Sequence, residues 1–196
     1  MRPFGAAIVL AIAAAGIAPA RAADSDPKVN DPKAAELKAK VQAIFNDIAS
    51  FIEQKDLDSV VMYSLADSRV RYADGKEYTL PGWRERARTA WASVKSVKSK
   101  IVVNDVRMSA DSVLVKYHET HDMVLVSPDD ASERRVLYEA KWRATMQRRA
   151  EGFRLSRSYE LERKISSDGK VLEEIKEAGA GNRESGVGSP ESRKKE

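Results

Sequence analysis

Across residues 31–53 the apolar positions Leu37, Val41, Ile44, Phe45, Ile48, Phe51 and Ile52 recur every three or four residues, with Glu36, Lys38, Lys40, Gln42, Asp47 and Glu53 between them. That period predicts a helix with a single buried stripe. Asp31 stands where an N-cap belongs and Pro32 at the first helical position, where its missing N–H costs nothing. After Asp56-Leu57-Asp58, the short apolar stretch 60–65 predicts a brief second helix or turn. Residues 69–72 and 77–80 predict two short strands around Asp74-Gly75, a pair that accepts the positive φ of a tight hairpin. Pro81 opens a third helix that carries Trp83, Ala87, Ala90, Trp91, Val94 and Val97 on one face.

From Lys100 the period changes from 3.6 to 2. Stretches 101–108, 112–126, 135–147 and 153–165 alternate as long strands, separated by Ala110-Asp111, Pro128-Asp129-Asp130-Ala131 and Glu151-Gly152. Turns this short imply antiparallel neighbours. The second strand would run for about 50 Å if straight, far beyond an ordinary strand, so it has to bend or bulge. The expected class is α+β, a strongly curved antiparallel sheet wrapped around N-terminal helices as a cone-shaped barrel. Beyond 165, Val171, Leu172 and Ile175 suggest a weak helix over 168–178. Residues 179–196 hold one aliphatic side chain, Val187, a composition expected to stay disordered.

The first residues read as an address rather than as fold. Met1-Arg2 precedes an apolar run over 4–18, and Pro19-Ala20-Arg21-Ala22 supplies the small-x-small pattern of a signal-peptide cleavage site. The run is shorter than the roughly 20 residues a spanning helix needs. The expectation is export to the periplasm or the extracellular side, with no membrane attachment once the leader is cleaved after Ala22. The chain then divides into a leader (1–22), a polar lead (23–30), one domain (31–165) and a polar tail (166–196).

Charge and composition mostly exclude. Removing Arg2 and Arg21 with the leader leaves 32 Lys and Arg against 30 Asp and Glu, which is no signature of a nucleic-acid partner. With no cysteine there is no disulfide, thiolate metal site or catalytic thiol. His118 and His121 are the only histidines, and their spacing puts them on opposite faces of a strand, so no metal site is expected. There is no Gly-x-Ser-x-Gly elbow or phosphate loop, and Gly186-Val187-Gly188 has no strand before it. No cofactor is expected.

The order of elements, with Lys55-Asp56-Leu57-Asp58 after the first helix, Asp74-Gly75 in the hairpin, and Trp142-Arg143 leading through Glu151-Gly152-Phe153 between the last long strands, resembles the nuclear transport factor 2-like superfamily and its small SnoaL-like bacterial members. The first of these matches stands where the family often has Gly-Asp-Leu-Asp. The resemblance covers about residues 32–165 and implies a cone-shaped sheet. It leaves activity open, because the family includes isomerases, dehydratases, cyclases, ligand-binding domains and dimeric adaptors. No residue here matches the aspartate base of the family isomerases, so none is carried over.

Strand parity then points to a site. Tyr117, Glu119 and His121 share the apolar face of their strand, and Trp142 lies on that of the next. Counting pairs across the turns sets Glu119 against Trp142, Tyr159 against Trp142 and Arg157 against Ala144, with slips of two allowed and parity kept unless a bulge intervenes. Tyr117, Glu119, His121, Trp142, Arg157 and Tyr159 are therefore expected to converge under the helices, with Tyr63 and Tyr72 at the mouth. The expected function is binding of a small organic ligand there. One alternative is a cofactor-independent isomerase, dehydratase or hydrolase using Glu119 or His121 as base, and another is a homodimeric interaction module pairing through the outer sheet face. A purely structural Glu119–Arg157 ion pair is the bland reading of the same residues.

Overall fold

The computed structural model describes residues 32–176. The leader, the polar lead with the Asp31 cap, and the tail from 177 onward lie outside the described residues.

Helix α1 (Pro32–Glu53) buries Val41, Phe45, Ile48, Ala49 and Ile52, the stripe read from its period. It ends on Lys55, whose φ of +57° lets the N–H groups of Lys55 and Asp56 reach back to Ile52 and Phe51. Left-handed backbone of this kind favours glycine, and here it is adopted by a lysine. The Lys55 Nζ donates to the Val94 carbonyl at 2.9 Å. Helix α2 (Leu57–Val61) starts on the Asp56 side chain, which accepts from the Ser59 N–H. Strands β1 (Ser64–Arg71) and β2 (Glu77–Thr79) form the hairpin, with Gly75 at φ +84°. Helix α3 (Leu80–Trp91) follows, capped by Thr79, with Trp83, Ala87 and Trp91 buried.

The long strands are β3 (Val94–Ser109), β4 (Ser112–Val126), β5 (Glu133–Arg149) and β6 (Gly152–Ser167). A last strand, β7 (Lys170–Lys176), pairs antiparallel with β6. Two expectations need correction here. Val94 and Val97 belong to β3 rather than to the third helix. The stretch 168–176 is a turn and a strand instead of a weak helix, so the sheet continues past Ile165; the free edge of β6 offers it backbone partners that an isolated short helix would lack.

The sheet order is β2-β1-β6-β5-β4-β3, and β7 shares with β1 the outer edge of β6. All pairs are antiparallel except β1 with β6, which run parallel, so the curved sheet is mixed and unclosed. The helices pack on its concave side around one core of Phe45, Ile48, Tyr117, Met123, Trp142, Met146 and their neighbours.

Candidate functional site

Register decides what enters the cone. Between β4 and β5 it runs unbroken from Ser112↔Gln147 to Val126↔Glu133. This is two residues from the counted pairing: Glu119 lies opposite Ala140, His121 opposite Tyr138 and Tyr117 opposite Trp142. Parity survives, so Tyr117, Glu119, His121 and Trp142 all sit inside with Tyr72, each essentially buried.

Strand β6 behaves differently. It shifts register beside Thr145/Met146 and again beside Lys141/Trp142. Between these two bulges the strand turns over. Leu155 faces in, then Ser158 and Glu160 face in, and past the second bulge Arg163, Ile165 and Ser167 face in. Arg157 and Tyr159 therefore lie on the outer face, contrary to the counted parity. Tyr159 sits under the Arg143 guanidinium, 4.9 Å from its ring centroid. The Glu119–Arg157 ion pair, the purely structural alternative, does not form, because Arg157 lies on the outer face. Tyr63 is half-buried and donates to Asp47 on α1 at 3.0 Å, beside Phe51 and Arg154, so it is not gathered with the others.

The bulges bring in Glu160, a charged residue that alternation places outside, and set it on the same face as Arg163, whose parity alone keeps it inside. Tyr138 Oη donates to Glu160 Oε1 at 2.7 Å, and Arg163 Nη1 and the Ala73 N–H donate to Oε2 at 2.9 Å each. Arg163 also holds Glu173 of β7, through Nε at 2.7 Å and Nη2 at 2.6 Å. Burial pushes the Glu160 carboxyl up to about 7 against the pull of Arg163 and its two other donors, with Glu119 adding to the rise. Burial likewise raises the phenols of Tyr72, Tyr117 and Tyr138, keeping them protonated as donors.

Glu119 and His121 have no such support. Neither is exposed to solvent; His121 Nε2 stands 3.8 Å from Glu119 Oε2, beyond hydrogen-bond reach, and none of the four polar atoms has a hydrogen-bond partner. His121 stacks on Tyr138 with centroids 5.5 Å apart, and Tyr117 lies parallel to Trp142. A carboxylate and an imidazole side by side, walled by aromatic rings and protonated phenols, can exchange a proton with a group placed between them. Two grooves occur elsewhere: one of about 360 Å³ between α1 and β3, one of about 220 Å³ on the outer face beside His118. Neither is lined by Glu119 or His121. No cluster of three His, Asp or Glu suited to a metal ion occurs among the described residues.

No family model matches the chain. No curated protein matches it. Solved structures do. A ketosteroid isomerase-like protein from Erwinia carotovora atroseptica is 13% identical over 69% of this chain and 98% of its own, with a TM-score of 0.51. A hexachlorocyclohexane dehydrochlorinase is 14% identical over 78% and 97%, at 0.52. A nuclear transport factor 2-like superfamily protein from Salmonella enterica is 10% identical over 69% and 94%, at 0.51. At such identities the likeness speaks of architecture, and the chain has the nuclear transport factor 2-like, SnoaL-like cone fold.

Proposed function

We propose that this is an exported small-molecule-binding domain whose ligand lies in the cone against Glu119 and His121. The observation that carries the reading is the pair itself: two ionisable side chains without solvent exposure, whose polar atoms find no protein partner. Buried polar groups are almost always hydrogen-bonded, because leaving one unpaired costs about 1–3 kcal/mol and more when it is charged. A ligand offering a donor to Glu119 and a polar atom to His121, with an apolar or aromatic body against Trp142 and Tyr117, would meet that demand. The site is closed, so binding requires a segment over it to move.

An enzymatic reading draws on the same pair. The dehydrochlorinase and the ketosteroid isomerase-like protein share this architecture. Glu119 or His121 taking a proton from carbon while a phenol donates to a developing oxyanion would suit an isomerase or dehydratase.

Native mass spectrometry of the purified full chain, followed by melting against a library of small aromatic and carbonyl compounds, tests the reading. Binding is expected to raise the melting temperature by mass action, and Glu119→Gln and His121→Asn should abolish that rise while remaining folded. If no compound binds, or if both variants bind as wild type does, the cone is not the site. Edman sequencing of protein recovered from the periplasm should begin at Ala23; a retained leader in that soluble fraction would refute export with cleavage.

A further inference from the structure

The face opposite the helices carries a cluster the cone reading does not use. The register lays two neighbouring rows across the strands. Arg69, Arg157, Thr145 and Leu114 form one, and Arg71, Tyr159, Arg143 and Lys116 the other. Arg69 and Arg157 are directly opposite, and like charges so placed destabilise a sheet. None of Arg71, Lys116, Arg143 and Arg157 forms an ion pair among the described residues. The carboxylates at the margins are engaged: Glu77 lies 3.3 Å from Arg69, and Asp105 holds Arg107 at 3.1 Å. Elsewhere on the same face cations are matched, as in Lys141–Glu162, Lys176–Glu174 and Arg135–Asp122. Arg157 and Tyr159 reach this cluster only because β6 turns over between its bulges.

We propose that, contrary to the expectation of no membrane attachment after leader cleavage, this convex corner docks on an anionic phospholipid surface. Unmatched cations on adjacent strands gain most from a partner that presents many negative charges at once, and each Lys or Arg near such a surface strengthens binding about fivefold. The shape favours a membrane over a polynucleotide. The rows bulge outward, and both grooves lie elsewhere. The apolar elements between the cations are also suited to a lipid interface: Leu114 is 41% exposed, and the ring of Tyr159 is half-exposed beneath Arg143. The inference is independent of what the cone binds.

Cosedimentation of the full chain with vesicles of equal parts phosphatidylglycerol and phosphatidylcholine, against phosphatidylcholine alone, tests it. Wild type should bind the anionic vesicles and release them as salt rises. The triple variant Arg71→Gln/Arg143→Gln/Arg157→Gln should bind them on the order of 100-fold more weakly. A control, Lys98→Gln/Lys141→Gln/Lys164→Gln, removes equal charge outside the rows and should lose at most a few-fold. All variants share the same termini, so differences belong to the sheet. Should the triple fail to fold, Arg143→Gln alone should still lose about fivefold. Equal losses in the two triples, equal binding to both vesicles, or tighter binding to a single-stranded oligonucleotide than to phosphatidylglycerol would overturn the proposal.

Discussion

Glu160 on β6 and Glu119 on β4 are carboxylates two strands apart in one sheet, both pointing into the core, and their surroundings differ in every respect that matters. Glu160 accepts from a tyrosine, an arginine and a backbone N–H, and through Arg163 it is joined to Glu173. It lies where β1 leaves the edge of β6 and β7 takes it over, so its bonds tie the first hairpin and the last strand to the body. Glu119 has only an imidazole beyond bonding distance. Burial alone therefore does not separate these two carboxylates, whereas the count of partners does.

Four measurements put that contrast to the test. The largest effect is expected from Arg163→Met, which strands two carboxylates and should cost about 3–5 kcal/mol in urea unfolding at neutral pH. Glu119→Leu should act in the opposite sense, raising stability by about 1–2 kcal/mol because a buried polar group without hydrogen-bond partners leaves the core. A loss comparable to that of Arg163→Met would show that Glu119 is structural.

The third measurement concerns pH. Folding favours the protonated form of Glu160, whose carboxyl is raised from 4.5 to about 7. Its contribution to stability is complete below about 4.5 and disappears as pH rises through about 7. Between about pH 5 and 8 the melting temperature of wild type should thus fall relative to that of Glu160→Gln. A constant difference would mean that the pair with Arg163 keeps the carboxylate ionised throughout. The smallest effect is expected from Arg157→Ala, within about 0.5 kcal/mol, since the side chain has no partner on the outer face. That is far from the cost the residue would have carried inside the cone.

The two carboxylates also mark how far the sequence could be read. Period and turn chemistry located the helices, the Asp74-Gly75 hairpin and all four long strands, and on β4 parity alone placed Tyr117, Glu119 and His121 inside, because no bulge interrupts its pairing with β5. Strand β6 defeated the same counting. Leu155 and Ile165 are both inside and ten residues apart, as simple alternation requires, so the ends of the strand look regular. The two bulges cancel each other and invert only the middle, where the run Leu155, Arg157, Tyr159, Leu161 imitates an inner face. Glu160 and Arg163, three apart, cannot share a face of a regular strand, and their joint burial is a product of the second shift. β7 was missed because its pairing depends on a distant free edge rather than on its own weak pattern.

The end of the sheet at β3 has a different lesson. Gln42 of α1 donates to the Ile101 carbonyl and accepts from the Val103 N–H, both at 2.8 Å; Glu53 accepts from the Ser99 N–H at 2.8 Å, and Lys38 and Lys55 donate to the Asn104 and Val94 carbonyls. Helix side chains thus occupy backbone groups that a sixteen-residue border strand would otherwise offer to any extended chain. Strand borders of that length are templates for runaway self-association. The hydrophilic side chains of α1 work as a seal against fibre growth, and Gln42→Ala, by unsealing two adjacent groups at once, would expose the molecule to aggregation before it appreciably altered the cone.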